Sequence, residues 1–160
     1  MNEFENGLEK KWQYDEFPFD SEVKVKELKE FLKPEDCLIF YGGEPLIMLD
    51  KIIEIMDNVD CRFCIQTNGV FLDKVPKNYL LKLDKILISI DGNLERTDWG
   101  KGFGHYNKIL KNLELIRDLG FKGEIVGRMV VSGNPDIYEQ VLHLIELIKK
   151  GFLDSIHWQI

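Results

Sequence analysis

A short apolar run that stops at two glycines and passes directly into a helical pattern constrains the fold of this chain most strongly. The run covers residues 37–41 and is rich in β-forming side chains, and Gly42 and Gly43 end it. After Pro45 the apolar residues return at helical spacing, at Leu49, Ile52, Ile53 and Met56. A buried strand, a glycine turn and a helix form half of a βαβ unit. In parallel sheets ligands bind beyond the carboxyl ends of the strands, so the rim at 42–44 is a candidate site.

The same strand–helix unit recurs along the chain. Four more strands are predicted, over residues 61–66, 85–90, 124–131 and 155–160. Helices are predicted from a cap at Asp20 or Ser21 to Pro34, and over residues 46–56, 76–83, 106–119 and 135–150. Residues 93–104 are expected to form a polar, glycine-bearing loop. Repeated strand–helix alternation predicts an α/β fold with a parallel sheet and right-handed crossovers.

Polar and apolar side chains alternate along several of the predicted strands. Residues two apart share a face, so Gln66 lies with Asn68, and Ser89 lies with Asp91. A flat sheet that is covered on both sides has two apolar faces. The alternation instead predicts a curved sheet, with helices outside and a polar, ligand-holding lumen inside. The alternative is a set of buried polar residues that satisfy one another.

Composition restricts the partners and the compartment. The chain has 160 residues, enough for one domain with a sizeable core, and a net charge of −7. The acidic balance argues against a nucleic-acid or anionic-membrane surface, which needs clustered lysine and arginine. No apolar run reaches the ~20 residues of a transmembrane helix, and no signal peptide is visible. Three cysteines are too few for a disulfide framework, so a reducing, cytoplasmic setting is expected.

The cysteines and histidines predict no metal site. Cys61 and Cys64 form a CxxC pair, but positions three apart in a strand point to opposite faces. Cys37 lies at the end of its strand away from the ligand rim, and all three cysteines are interpreted as small buried residues. His143 is interpreted as a packing or surface residue. His157, on the lumen face, is the histidine most relevant to a site.

Four short motifs follow the strand ends in order. They are Gly42-Gly43-Glu44-Pro45, Thr67-Asn68-Gly69, Ser89-Ile90-Asp91-Gly92, and the loop from Thr97 to Tyr106. Together they resemble the radical S-adenosylmethionine (radical SAM) superfamily, and its peptide-modifying and sulfatase-maturase-like branch most closely. The resemblance covers residues 37–160, with Lys101 where an arginine is usual.

The resemblance implies a partial (βα) barrel with outer helices, of which five of the usual six core strands are present. It implies S-adenosylmethionine (AdoMet) as a cofactor, with a [4Fe–4S] cluster held by a CxxxCxxC loop. The implied reaction is reductive cleavage of AdoMet to a 5′-deoxyadenosyl radical, which takes hydrogen from a peptide or protein substrate. An external electron donor such as flavodoxin or ferredoxin is also implied.

Carried over onto this sequence, the resemblance assigns a set of cofactor-binding residues but no catalytic residue. The glycine turn and Glu44 receive the methionine amino group, while Ser89 and Lys101 hold the carboxylate. Arg128 or Ser132 approaches the carboxylate or the ribose, and the last strand passes the adenine. Ammonium groups need acceptors and carboxylates need donors, which these residue types supply. The full set is Gly42, Gly43, Glu44, Pro45, Asn68, Ser89, Asp91, Lys101, Arg128, Ser132 and Gln159.

The chain departs from the family in lacking a CxxxCxxC motif. Its five strands match the family's second to sixth, so residues 21–160 are expected to be an incomplete core domain. Residues 1–20 are expected to be an irregular arm or the end of the cluster loop. The expected protein is a fragment of a radical SAM enzyme, without a cluster of its own and inactive alone. Its parent coding sequence is expected to extend upstream by one strand and the cysteine loop.

Two other functions stay open. The chain is alternatively a non-catalytic descendant of the barrel, which binds a nucleotide-like ligand or a peptide partner. A third hypothesis is an unrelated small α/β binding domain in which the motifs coincide. That hypothesis fails if the strand ends converge on one cleft.

Overall fold

A computed structural model of the protein describes residues 23–131 and 136–159. Some of the sequence predictions therefore lie outside the described residues. These are the arm at 1–20, the helix cap at Asp20 or Ser21, the helix start at 134–135, and the position of Ser132.

Strands and helices alternate along the described part of the chain. The strands are β1 (Cys37–Phe40), β2 (Arg62–Thr67), β3 (Leu83–Ser89), β4 (Glu124–Val130) and β5 (Ser155–Gln159). The α-helices are α1 (Val25–Phe31), α2 (Leu49–Asn58), α3 (Lys77–Leu80), α4 (Leu94–Lys101), α5 (His105–Asp118) and α6 (Ile137–Lys149). Two short 3₁₀ helices precede α2 and α3, at Pro45–Met48 and Leu72–Lys74. Within the described ranges, no helix has both the length and the apolar character needed to cross a membrane.

The five strands form one parallel sheet in the order β1-β2-β3-β4-β5. Each strand pairs with its neighbour in the chain, so every crossover advances in the same direction across the sheet. Because parallel crossovers share one hand, this order puts the connecting helices on one face. It is the order of an opened (βα) barrel, whereas in a doubly wound sheet the order reverses. The predicted class, an α/β partial barrel of parallel strands, is confirmed.

Aliphatic side chains form the core between the sheet and the helices. Ile65, Ile86 and Ile125 are register partners on β2, β3 and β4, and each is at most 1% exposed. Leu113 of α5 and Leu144 of α6 belong to the same buried cluster. The face of the sheet toward the helices is therefore the apolar one, as the alternation along the strands predicts.

The opposite face of the sheet is the polar lumen. Lys85 and Glu124 are register partners there, and their side chains form an ion pair at 2.7 Å. The Ser155 hydroxyl donates to Glu124 Oε1 at 2.7 Å. Nearer the carboxyl ends of the strands, Ser89 is the register partner of Arg128. The alternative of polar residues buried against one another is wrong, because these side chains remain partly exposed.

The prediction of a polar loop at residues 93–104 is wrong for most of this segment, because the segment contains α4. Asn93 caps the helix by accepting a hydrogen bond from the Arg96 N–H at 2.9 Å. The buried Thr97 hydroxyl donates to the Gly92 carbonyl at 3.1 Å. Only Thr97 of this helix is buried, so the sequence has no apolar stripe to reveal it. The cap and the short-range hydrogen bonds decide the local structure instead.

Gly92, directly after β3, occupies a position that tolerates no side chain. Its φ is +138°, and an added Cβ would lie 2.0 Å from Gln140 Oε1 and 2.8 Å from Gln140 Cβ. The same Gln140 oxygen accepts a hydrogen bond from the Asn93 N–H at 2.8 Å. We expect Gly92→Ala to lower the free energy of unfolding by about 3 kcal/mol, through backbone strain and overpacking together. Urea denaturation of the chain measures this difference.

Gly102→Ala is the matched control for that substitution. Gly102 also has a positive φ, +109°, but its added Cβ would meet no atom within 4 Å. Its cost, about 1 kcal/mol, reports the backbone strain alone. Equal losses of stability in the two variants would contradict the importance of the Gln140 contact.

Candidate functional site

Two adjoining cavities open on the lumen side at the carboxyl ends of the strands. Their volumes are about 280 and 340 Å³, and they share Gln66, Ser89 and Lys101 as lining residues. We refer to the two together as the cleft. Eight of the predicted cofactor-binding residues line it, namely Gly42, Gly43, Asn68, Ser89, Asp91, Lys101, Arg128 and Gln159. The strand ends therefore converge on one cleft, which removes the hypothesis of an unrelated domain with coincidental motifs.

The wall of the cleft next to β1 is made of main chain. Gly42 has a φ of +148°, and a Cβ added to Gly42 or Gly43 would meet no atom within 4 Å. Since no side chain stands at either position, a ligand can approach the backbone of the turn closely. Pro45 then begins the 3₁₀ helix that leads into α2. The strand, glycine turn and helix predicted from the sequence are all present here.

Glu44 connects the turn after β1 to the turn after β2. Its Oε1 accepts hydrogen bonds from the Leu46 N–H at 3.1 Å and from the Thr67 hydroxyl at 2.7 Å. Its Oε2 accepts one from the Asn68 N–H at 2.8 Å. A carboxylate offers about four acceptor sites, so these three bonds leave about one for a ligand. Glu44 is thus a structural tie between the two turns. Of the predicted cofactor-binding residues, Glu44 and Pro45 do not line the cleft but line a groove beside β1.

The Thr67-Asn68-Gly69 turn is closed by its own side chains. Asn68 Oδ1 accepts from the Val70 N–H at 2.9 Å, and the Gly69 N–H donates to Thr67 Oγ1 at 3.1 Å. Gly69 has a φ of +82°, which glycine adopts without strain. The amide oxygen of Asn68 is therefore engaged within the turn.

Asn112 of α5 supports this turn from the helix side of the sheet. Its Nδ2 donates to the Gly69 carbonyl at 2.7 Å and to the Val70 carbonyl at 3.0 Å. The side chain is 1% exposed. Sequence reasoning missed this residue, although an asparagine beside Leu113 on a buried helix face indicates a buried polar contact.

Charged residues line the part of the cleft nearest β4 and β5. Lys101 Nζ lies 3.0 Å from Asp91 Oδ2, with the two side chains 21% and 13% exposed. Asp91 Oδ1 accepts from the Val130 N–H at 3.0 Å, and Arg128 Nη2 donates to Gln159 Oε1. The cleft thus brings two cations and a carboxylate together within a mostly polar lining. This set of donors and acceptors fits the amino-acid end of AdoMet, which carries one ammonium and one carboxylate.

Asp98 has a structural role at the start of α5. Its two carboxylate oxygens accept hydrogen bonds from the Tyr106 N–H at 2.8 Å and the Gly104 N–H at 2.7 Å. Both hydrogen bonds lower the pKa of the Asp98 carboxyl, and the bond from Tyr106 has the larger effect. The carboxylate holds the loop that follows Lys101 against the amino end of α5, which brings His105 to the cleft.

His105 is the histidine that lines the cleft, and sequence reasoning missed it. His157, favoured from the sequence, is exposed and lines neither cavity. His143 lies between α5 and α6, where its Nε2 is 2.6 Å from the Tyr106 hydroxyl oxygen, in agreement with a packing role. The cleft is also lined by Gln66, Thr67 and Tyr41, which are not in the set of residues that the resemblance implies.

The cysteines lie outside the cleft. Cys64 is buried as predicted, but Cys37 is exposed and Cys61 only partly buried, so the interpretation of all three as buried residues is wrong for two of them. The sulfur atoms of Cys37 and Cys64 are 3.0 Å apart, because the register of β1 and β2 puts both on the lumen face. Burial, followed by the contact with Cys37, raises the pKa of the Cys64 thiol to about 12.

The described residues do not fit a [4Fe–4S] cluster. Such clusters are held by several convergent cysteine thiolates. No group of three or more His, Cys, Asp or Glu side chains is placed to hold a metal ion anywhere in 23–131 or 136–159.

Comparison with known proteins gives a family match over most of the chain. A family model described as the radical SAM superfamily matches residues 13–148. An uncharacterised protein of Archaeoglobus fulgidus is 34% identical over 79 residues, which are 48% of this chain and 19% of that protein.

Two solved structures share the fold. The protein anSMEcpe, with bound AdoMet, is 19% identical with a TM-score of 0.66, and the match covers 84% of this chain and 40% of that chain. SuiB of Streptococcus suis, bound to the precursor peptide SuiA, is 16% identical with a TM-score of 0.63. That match covers 87% of this chain and 33% of that chain. The chain thus spans less than half the length of each of these three proteins.

Proposed function

Because the chain belongs to the radical SAM superfamily, we propose that it is the AdoMet-binding core domain of a radical SAM enzyme. The parent enzyme uses a [4Fe–4S] cluster to cleave AdoMet reductively to a 5′-deoxyadenosyl radical, which abstracts hydrogen from a peptide or protein. The observation that carries the proposal is the cleft, where residues of four separate motifs converge at the carboxyl ends of the strands. Ligands bind at this end of parallel (βα) units.

The amino-acid end of AdoMet is proposed to bind between the glycine turn and α4. The main chain at Gly42 and Gly43 and the remaining acceptor site of Glu44 take the methionine ammonium. Ser89 and Lys101 hold the carboxylate, with Lys101 positioned by its ion pair to Asp91. Opposite charges at the two ends of this region orient a zwitterion.

The nucleoside end is proposed to extend toward β5. Arg128, held by its hydrogen bond to Gln159, approaches the carboxylate or the ribose, a role for which Ser132 is the alternative. Gln159, which lines the second cavity, is proposed to contact the adenine. The second cavity, of about 340 Å³, lies on this side and is lined by Arg128 and Gln159.

The cluster ligands are proposed to come from a segment outside these 160 residues, so that the chain alone is inactive. An apolar groove of about 790 Å³ beside β1, lined by Leu38, Ile39 and Phe40 among others, supports this. Among the described strands β1 pairs only with β2, and exposed sheet edges are normally covered. A further strand that leads into the cysteine loop fits this groove. Reading the DNA on the 5′ side of the Met1 codon tests this proposal. An in-frame sequence that encodes CxxxCxxC supports it. An in-frame stop codon close to Met1, with no cysteine codons between the two, contradicts it.

The proposed partners are a peptide or protein substrate and an external electron donor such as flavodoxin or ferredoxin. The fold shared with SuiB, whose structure contains a precursor peptide, supports the substrate class. The three cysteines, an odd number and too few for a disulfide framework, support a reducing, cytoplasmic compartment.

Titration of the isotope-labelled chain with AdoMet, followed by amide NMR, tests the proposal. We expect concentration-dependent shifts at Gly42, Gly43, Ser89 and Lys101, with little change on the outer faces of α5 and α6. ATP is the control ligand, because an equal response to ATP indicates a general nucleotide-binding protein instead. Absence of any response to AdoMet at millimolar concentration overturns the proposed site.

Gly43→Val provides a blocking variant for the same titration. Gly43 is not among the glycines with positive φ, and an added Cβ would meet no protein atom within 4 Å. Valine therefore needs no unusual φ, and its Cβ meets open space at the edge of the cleft. We expect it to abolish the shifts, whereas Glu114→Ala, on the exposed face of α5, leaves them unchanged.

A further inference from the structure

We propose that His105 is a further ligand-binding residue of the cleft, whose Nε2 hydrogen-bonds the carboxylate of the methionine part of AdoMet. The inference rests on the proposed function and deepens it. The sequence motifs assign Ser89 and Lys101 to this carboxylate, whereas His105 is identified only from the structure.

The position of His105 indicates a missing partner. Its side chain lines the cavity of about 280 Å³ together with Gly42, Gly43, Ser89 and Lys101. The Nε2 atom is buried and makes no hydrogen bond within the described residues. A buried ring nitrogen without a partner is unfavourable, so a group that enters the cavity and bonds to it gains affinity.

One feature beside His105, the Lys101 cation, favours an acceptor of negative charge. His105 is the first residue of the 14-residue helix α5, at an amino end where the Gly104 and Tyr106 N–H groups already donate to the Asp98 carboxylate. Burial and then the charge of Lys101, which lines the same cavity, lower the pKa of His105, and the Asp98 and Glu44 carboxylates oppose them. A neutral imidazole with its proton on Nε2 donates to a carboxylate and does not repel it.

The ammonium of AdoMet is the less suitable partner for His105. Lys101, which lines the same cavity, disfavours a second cation beside it. The acceptors that suit an ammonium, namely the Glu44 carboxylate and the open main chain of Gly42 and Gly43, belong to the turn after β1. We therefore assign the ammonium to the turn after β1 and the carboxylate to His105.

Three ligands distinguish the contact. AdoMet carries the ammonium, the carboxylate and the sulfonium, decarboxylated AdoMet lacks the carboxylate alone, and 5′-methylthioadenosine lacks all three charges. We expect His105→Leu to weaken the binding of AdoMet roughly tenfold, as for the loss of one hydrogen bond to a charged group. Binding of the other two ligands, measured by equilibrium dialysis with the purified chain, is expected to stay within about twofold of the wild type.

His105→Gln and His157→Leu are the matched variants. The glutamine amide nitrogen can occupy the place of Nε2, so His105→Gln is expected to restore most of the AdoMet affinity. His157 is exposed and lines neither cavity, so its replacement is expected to have no effect. Equal weakening of all three ligands by His105→Leu, or none, overturns the inference.

A measurement on the unaltered chain gives an independent result if the leucine variant does not fold. The nitrogen chemical shift of His105 Nε2 is expected to move on addition of AdoMet and to stay unchanged with decarboxylated AdoMet. The same movement with both ligands contradicts the carboxylate contact. If the unaltered chain binds no AdoMet, the proposed function itself fails, which differs from a chain that binds AdoMet without His105.

Discussion

Replacing Glu44 by alanine is expected to lower the free energy of unfolding by about 3 kcal/mol, from the loss of a cap and of hydrogen bonds to a charged group. The substitution removes the acceptor for the Leu46 N–H, the Thr67 hydroxyl and the Asn68 N–H. Two turns that follow neighbouring strands then lose their connection. Urea denaturation of the chain measures the stability difference.

The controls for Glu44 separate its charge from its oxygens. Glu44→Gln keeps one acceptor oxygen but presents an amide group to a second donor, so an intermediate loss of stability is expected. Glu114→Ala, an exposed glutamate of α5, is expected to change stability by less than about 0.5 kcal/mol. If Glu44→Ala is as stable as Glu114→Ala, the three hydrogen bonds do not stabilise the fold.

Glu44→Ala is also expected to weaken AdoMet binding at least about tenfold, because it removes a charged partner of the ammonium and loosens the turn that presents the main chain. The affinity is compared at a temperature where both proteins are folded. Unchanged affinity would leave Glu44 as a structural residue only.

Asn112→Leu is expected to destabilise the protein by about 3 kcal/mol, because one buried and one partly buried carbonyl group lose their donor. Leucine has the branched shape of asparagine but larger terminal groups, so overpacking at this buried position adds to the loss of the hydrogen bonds. The affected carbonyls belong to Gly69 and Val70, in the turn that presents Asn68 to the cleft. Thermal and urea unfolding measure the loss.

Asn107→Leu is the matched control on the same helix. Asn107 is exposed, so its replacement is expected to change stability by less than about 0.5 kcal/mol. Equal effects of the two substitutions would show that the Asn112 hydrogen bonds contribute little.

Local patterns predict the sheet well because they report burial directly. Alternation along β3 separates Ile86 and Ile88 from Ser89, and the structure puts these residues on opposite faces. Helix α4 has no comparable pattern, since it buries only Thr97. Its presence depends on the Asn93 cap and on hydrogen bonds, whose outcome a short polar sequence does not determine.

The features of the cleft that the sequence does not predict depend on contacts between distant segments. The donors to Glu44 come from the turn after β2, and the register of β1 and β2 brings Cys37 and Cys64 together. The relevant property of His105 is its burial beside a cavity, which residue spacing in the sequence does not reveal. Register, burial and cavity shape arise from the packed sheet and not from any one motif.

The sequential order of the strands also bears on how the chain folds and how it opens. Because each strand pairs with its successor in the chain, most sheet contacts join segments only one βα unit apart. Such short separations lower the entropy lost in closing each contact, which favours rapid assembly for a parallel sheet. Strand β3 lies at the centre of the sheet and is paired on both sides. We therefore expect its amide hydrogens to exchange more slowly than those of the other strands. Opening then proceeds inward from β1 and β5, so both ends of the cleft loosen before its middle.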